Sequence, residues 1–215
     1  MSAELLSRSR RAVDHTVVNG LLGIVFPVLR SHSSHMPRPP ETFHTPRLFA
    51  RKPQAADAEA VLAAYAGDPE VTRYLSWRNY TDVAPLREFL RGVAKTWESD
   101  DGQHYAWLLF QREIDTPIGS IGINFDGHGA MLGYVLGRAH WGQGFMTEVL
   151  SYVVAWTMAQ PGLFRAWAFC DAENLASARV MEKAGLVREG LLRRWHVCPT
   201  IGPAPRDCLV YAKVR

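Results

Sequence analysis

Two glycines stand where an extended apolar segment passes into a helix, and this junction constrains the fold more than any other stretch of the chain. Residues 133–137, Gly-Tyr-Val-Leu-Gly, read as a strand, and Trp141-Gly142-Gln143-Gly144 as a turn. After the turn, Val149, Leu150, Val153, Val154 and Trp156 recur near helical spacing. Gly142 and Gly144 can take backbone angles closed to other residues, and a helix starting just beyond them offers unbonded N–H groups and the positive end of its dipole. The unit predicts a mixed α/β fold with an anion cradle at a strand-to-helix turn, although tight packing alone also accounts for a Gly-x-Gly turn. Two nucleotide-binding patterns fail on spacing. A Rossmann turn needs a third glycine where Thr147 stands, and a P-loop needs Gly-Lys-Ser/Thr, which is absent.

Around this unit, strand-like and helix-like stretches alternate from Thr45 onward, with no internal repeat. Strands are expected over 47–53, 105–112, 118–125, 130–137, 164–169, 187–193 and 209–214. Helices are expected from Asp57 through Tyr65, over 83–97, after the glycine turn, and over 174–184 with Gly185 as the stop. Gly67-Asp68-Pro69 breaks the chain between the first two helices. Turn residues Asp115-Thr116-Pro117 and Asp126-Gly127-His128-Gly129 make an antiparallel meander the economical topology for the middle strands.

The chain has 215 residues, 47% hydrophobic and 21% charged, which suits one domain with a sizeable core. A net charge of +3 helps attract a polyanion but is too small to argue for nucleic acid. Cys170, Cys198 and Cys208 form no C-x-x-C pair, and the eight histidines show no ligand spacing, so neither a disulfide framework nor a metal is expected. Residues 17–29 follow Arg8, Arg10 and Arg11 in the outline of a signal peptide, but Asp14, His15 and Asn19 interrupt it and the run falls short of the roughly 20 residues of a membrane span. A cytoplasmic protein without membrane attachment is the expectation. Residues 1–43 are expected to be a peripheral or disordered extension, and residues 44–215 the domain.

The turn resembles the acetyl-CoA-binding segment of the GNAT superfamily of N-acetyltransferases, and its form Trp141-Gly142-Gln143-Gly144-Phe145-Met146-Thr147-Glu148 is similar to the RimJ/RimL-like branch, which acetylates ribosomal-protein N-termini. It departs from the wider pattern Arg/Gln-x-x-Gly-x-Gly/Ala at Trp141 and Met146. The segment from Cys170 to Leu186, with Asn174, Ser177 and Glu182-Lys183-Ala184-Gly185, resembles a second family segment in the right order. The resemblance covers residues 45–215. It implies the GNAT fold: a mixed, mostly antiparallel sheet of about seven strands, about four helices, and a splayed strand pair at the cofactor site. It implies acetyl-CoA as cosubstrate, its pyrophosphate on the amides of Gly142, Gln143, Gly144, Phe145, Met146 and Thr147 and its pantetheine arm beside Leu136, with direct attack by a primary amine.

The resemblance further implies roles at the second segment. Many relatives carry a tyrosine seven residues after the asparagine, but that position here is Met181. Ser177 takes the place of a serine able to protonate the leaving sulfur, or it satisfies the helix backbone. Asn174 caps the helix, or also binds the pantetheine arm. Tyr74, Trp77 and Arg78 are candidates for one acceptor wall, and the proline-rich loop 197–205 for the other. Asp207 reads as the ion-pair partner of its neighbour Arg206.

No acidic residue lies in the 130–137 strand, and the nearest titratable groups are Asp126, His128 and His140. An α-amine with pKa near 8 costs about 1 kcal/mol to deprotonate at pH 7, a lysine about 4.6 kcal/mol, so a site without a strong base prefers an α-amine. The acceptor is therefore expected to be a protein or peptide N-terminus. A small-molecule amine (amino acid, polyamine, aminoglycoside) and a non-catalytic acyl-CoA-binding regulator are the alternatives, and a homodimer stays open.

Overall fold

The computed structural model describes residues 36–99, 102–112 and 114–215. The signal-peptide-like run at 17–29 lies outside the described residues. Eight strands form one sheet in the order β1-β2-β3-β4-β5-β6-β8-β7. They are β1 (Thr42–His44), β2 (Leu48–Arg51), β3 (His104–Gln111), β4 (Pro117–Asp126), β5 (Gly129–Leu136), β6 (Arg165–Asp171), β7 (Val187–Val197) and β8 (Pro205–Val214). Every neighbouring pair is antiparallel except β5 and β6. The helices are α1 (Ala58–Val61), α2 (Pro69–Thr72), α3 (Val83–Thr96), α4 (Phe145–Ala159) and α5 (Leu175–Lys183), and α1 continues into a π-helical segment, Leu62–Ala66.

Both faces of the central strands are covered. On one face Leu108, Phe110 and Val135 pack with Val61 and Tyr65 of the first helical segment and with Leu86 and Leu90 of α3. On the other, Leu109, Ile121, Ile123 and Leu132 meet Val149, Leu150, Val153 and Val154 of α4 and Met181 of α5. Each such side chain contributes about 1.5–3 kcal/mol when fully buried. Local signals start the helices. The Asp82 side chain accepts from Ala84 N–H at the start of α3, and Asp68 accepts from Glu70 N–H with Pro69 in the first turn of α2.

The parallel pair is short. Gly129, Ala130 and Met131 register with Arg165, Ala166 and Trp167, after which β5 runs on to Leu136 and β6 to Asp171 with no further pairing between them. This is the splayed pair that the family resemblance implies. Gly137 N–H donates to Ile118 O at 2.8 Å, so the alternation of a strand turns the main-chain groups of Tyr134 and Leu136 to the opposite, open edge.

Three features differ from the sequence expectation. The sheet has eight strands rather than about seven, because Thr42–His44 pairs with β2. Residues just before 44 thus join the sheet and core: Phe43 is buried, stacks on Tyr152 at 4.4 Å, and neighbours Trp107, whose indole N–H donates to Pro40 O. The final hairpin is longer than expected, since β7 continues past Arg193 through a register shift at Leu192/His196 where Arg194 has φ of +51°. Finally, a short helix, α2, occupies part of the break after Gly67.

Candidate functional site

Gly142 and Gly144 have φ of +74° and +80°, in the left-handed region that other residues enter at a cost. They turn the chain out of β5 so that α4 begins at Phe145. Glu148 N–H donates to Gly144 O at 3.0 Å, which makes it the first rung of the helix ladder. The N–H groups of Phe145, Met146 and Thr147 precede that rung and point from the helix start, the geometry of an anion cradle. The side chains of Phe145 and Met146 are buried in the core, so the cradle is made of main chain. Gln143 folds back, its Nε2 donating to Ala139 O, and Thr147 O accepts from Ser151 Oγ.

A residue that sequence reasoning missed holds this turn. Arg47, ahead of β2, donates from Nη1 to Gln143 O at 2.9 Å and from Nε to Glu148 Oε2 at 2.7 Å, with its backbone N–H on Glu148 Oε1 at 2.9 Å. Its guanidinium lies 4.5 Å from the Phe145 ring centroid. Burial opposes ionisation of Glu148, but hydrogen bonds from Thr45 and Arg47 outweigh it and hold the carboxyl below its ordinary range. Arg47 stays about half exposed, so its cation remains available beside the cradle. No local spacing connects residue 47 with residue 148, and only the fold brings them together.

Inside the splay, Trp141 Nε1 donates to Leu136 O at 2.7 Å, covering one lone pair of the carbonyl nearest the turn. Beyond the end of β6, Asn174 Oδ1 accepts from Ser177 N–H at 3.1 Å, and this cap starts α5. No protein partner of Asn174 Nδ2 is found among the described residues. Ser177 Oγ lies 2.8 Å from the hydroxyl of Tyr134, which reaches over from β5. Tyr134 thus ties β5, the strand that carries Leu136, to the start of α5, where Asn174 and Ser177 stand. Cys170 lies on β6, its thiol pushed up to about 12 by burial.

The acceptor-side candidates sit apart from the cradle. Trp77 packs toward the α1–α3 cluster with its ring 5.7 Å from Tyr80, and its Nε1 is buried without a hydrogen-bond partner. Tyr74 is half-buried beneath Arg73, and Arg78 is exposed. The residues just before this segment reach the end of β5. Arg138, just past β5, pairs with Asp68 at 3.1 Å, and a Cβ at Gly137 would lie 2.8 Å from Ala64 O, so only glycine allows that approach. In the hairpin loop beyond β7, Thr200 Oγ1 is also buried without a partner.

Several titratable residues change role. Arg206 does not pair with Asp207. It binds Asp171 at 2.5 and 3.1 Å and Glu173 at 2.8 Å, while Asp207 accepts from Arg194 N–H. Asp126 and His128 lie in the β4–β5 turn, beyond the paired residues 129–131 and so at the closed end of the groove. His140 adjoins Phe145 at the turn rather than the inner splay. His196 packs edge-on against Phe169 at 5.3 Å, and burial lowers its pKa despite the pull of Asp171. Among the described residues, no group of His, Cys, Asp or Glu is placed to hold a metal ion, and no helix is long and apolar enough to cross a membrane.

Comparison with known proteins agrees with this geometry. A family model described as an acetyltransferase (GNAT) domain matches residues 47–187. The uncharacterized N-acetyltransferase p20 of Bacillus licheniformis is 35% identical over 156 residues, 71% of this chain and 86% of that protein. The uncharacterized N-acetyltransferase YoaA of Bacillus subtilis is 32% identical over 174 residues, covering 80% and 95%. Among solved structures, a GNAT-family acetyltransferase from Bacillus anthracis superposes with a TM-score of 0.68 at 25% identity, covering 80% of this chain and 98% of that one. RimL, the ribosomal L7/L12 α-N-protein acetyltransferase, solved with coenzyme A, shares the fold at a TM-score of 0.69 and 19% identity, covering 79% and 95%.

Proposed function

The chain belongs to the GNAT family and is an N-acetyltransferase, and from that premise we propose that it transfers acetyl from acetyl-CoA to the α-amine of a protein or peptide N-terminus. The fit of the cosubstrate rests on the main chain. The amides of Gly142, Gln143, Gly144, Phe145, Met146 and Thr147 receive the diphosphate, and the open edge of Tyr134 and Leu136 receives the pantetheine amides as a strand would. Acetyl-CoA supplies a thioester activated toward an amine. Asn174 caps α5 and offers Nδ2 to the pantetheine arm. Ser177 stands at the groove as the proton donor for the departing thiolate.

One observation carries the choice of acceptor. The carboxylates nearest the splay are all engaged: Asp171 and Glu173 with Arg206, and Glu182 accepting from the Tyr211 hydroxyl at 2.9 Å. With no unpaired carboxylate beside the splay among the described residues, an amine that costs little to deprotonate near pH 7 is favoured, and an α-amine meets that condition where a lysine does not. The acceptor walls carry Tyr74, Trp77 and Arg78 on one side and the 197–205 loop on the other. The orphaned Trp77 Nε1 is a donor suited to a peptide carbonyl. RimL, a protein N-terminal acetyltransferase by its description, supports this reading by fold.

The test is thiol release from acetyl-CoA with a panel of peptides bearing free or blocked N-termini, lysine side chains, polyamines, aminoglycosides and amino acids. Turnover dependent on a free peptide N-terminus is expected. Acetylation confined to lysine side chains or to small amines overturns the acceptor assignment, and acetyl-CoA binding without any acceptor-dependent thiol release favours a binding regulator.

A further inference from the structure

The groove contains a phenol that α5 itself does not provide. Seven residues after Asn174 stands Met181, fully buried in the core, so no hydroxyl enters from that position. Tyr134 approaches from the opposite wall. Its Oη lies 2.8 Å from Ser177 Oγ and 3.2 Å from Ser177 O, so its one proton has two acceptors in reach and Oγ is the nearer, a contact that spans the splay between β5 and α5. Where β5 has ceased to pair with β6, two hydroxyl groups thus tie it to α5.

The hydrogen-bond inventory orders this pair. A hydroxyl gives one proton and accepts through two lone pairs. The backbone of Ser177 is fixed by its own N–H on Asn174 Oδ1 at 3.1 Å, which sets where its Oγ meets the Tyr134 hydroxyl. Burial raises the pKa of Tyr134, which keeps the phenol protonated across the physiological range. When Tyr134 donates to Ser177 Oγ, the serine proton is released to point into the groove. The neighbouring Cys170 thiol is held protonated by burial and carries no negative charge to disturb the arrangement.

We propose that Tyr134 is a positioning residue for acetyl transfer, donating to Ser177 Oγ so that the two hydroxyls form a relay that delivers a proton to the leaving sulfur. This rests on the reading that acetyl-CoA occupies the splay and that Ser177 serves its thiolate. In the step itself the acceptor nitrogen forms a bond to the acetyl carbon and the carbon–sulfur bond breaks, its electron pair going to sulfur. The Ser177 proton passes to sulfur and the Tyr134 proton to Ser177 Oγ. Tyr134 regains a proton from solvent, matching the one that the attacking amine loses to solvent, so no oxidant or further reactant is needed.

The test compares Tyr134→Phe, Ser177→Ala and the double variant. Tyr134→Phe keeps the ring and removes only the hydroxyl. It is expected to lower kcat about tenfold, a fraction of the roughly 10²–10⁴ that a full general acid contributes. The acetyl-CoA Kd, read by calorimetry, is expected to stay within about twofold. If Tyr134 acts only through Ser177, the double variant is no slower than Ser177→Ala, a non-additivity that a merely structural role does not produce. A second readout is independent of turnover: in tyrosine-labelled protein, the Tyr134 ring-carbon resonance, assigned by its loss in Tyr134→Phe, shifts both on CoA addition and in Ser177→Ala. A Tyr134→Phe kcat within about twofold of the wild type, multiplicative losses in the double variant, or an unmoved resonance overturns the relay alone. A wild type without acceptor-dependent thiol release, or with Ser177→Ala unimpaired, overturns the underlying reading and the relay with it.

Discussion

At the glycine turn the groups proposed to meet the ligand are main-chain amides, whereas along the proposed acceptor walls they are side chains: Trp77 on one and Thr200 on the other, each with a buried polar atom lacking a hydrogen-bond partner among the described residues. The turn is shaped by two left-handed glycines and by the start of α4, and the buried side chains of Phe145 and Met146 serve only to anchor it. The proposed walls carry indole and hydroxyl groups that have no partner among the described residues. A main-chain cradle accepts any ligand with the same phosphates, while side-chain walls can differ between relatives without disturbing the fold. On this reading the cosubstrate end is set by the backbone and the acceptor end by side chains.

The sharpest way to break this contrast is Gly144→Val. A β-branched side chain at φ of +80° is expected to distort the cradle, raising the acetyl-CoA Kd more than about thirtyfold while acceptor selectivity among accepted peptides is unchanged. Calorimetry with acetyl-CoA measures it, and a Kd within threefold of wild type would show that the amides are not the phosphate site. Next comes Arg47→Ala, which removes the contact to Gln143 O and leaves Glu148 without its cation; the KM for acetyl-CoA is expected to rise about tenfold with kcat little changed. Arg47→Lys is expected to recover only part of this, because an ammonium cannot span both partners.

The opposite end is probed by Trp77→Phe. Deleting the unpartnered indole N–H is expected to raise the peptide KM about fivefold, the scale of one hydrogen bond, and to leave the acetyl-CoA KM alone. If the acetyl-CoA KM moves instead, Trp77 belongs to the other end of the site. The smallest effect is in pH. The folded-state pKa of Glu148 lies below its ordinary value of 4.5, so its contribution is present above that value and is lost as pH falls through the folded pKa. Acid unfolding of the wild type is therefore expected to be steeper below about pH 4.5 than that of Glu148→Gln, measured by circular dichroism, with the two curves parallel at higher pH.

What the sequence reveals follows the same division. Gly142 and Gly144 are legible because the backbone angles they adopt are nearly closed to other residues, and α3 is legible because Leu86, Leu90 and Val93 mark its face. Asn174 is legible as a cap by type and spacing. The clamp of Arg47 on Gln143 and Glu148 spans 96 and 101 residues, and the bridge from Tyr134 to Ser177 spans 43, distances over which no periodicity carries information. The same limit hides β1, a three-residue strand that exists only because β2 lies beside it. It also misdirects the reading of Arg206, whose partner is Asp171, 35 residues away, rather than adjacent Asp207. The extension of β7 escapes notice because the left-handed turn falls on Arg194, a residue type that does not announce such a conformation.

The three-position pairing of β5 with β6 makes the sheet two blades joined by a narrow seam. Along the rest of that seam the main-chain groups of Tyr134 and Leu136 have no strand to answer them, and the pantetheine arm proposed to lie there would supply that pairing. A bound cosubstrate then acts as a structural part as well as a reactant. Acetyl-CoA at a hundred times its Kd stabilises the fold by about 2.7 kcal/mol. The slowing of amide exchange on binding is expected to concentrate at Tyr134 and Leu136, turning a loose hinge into a continuous surface each time the enzyme loads.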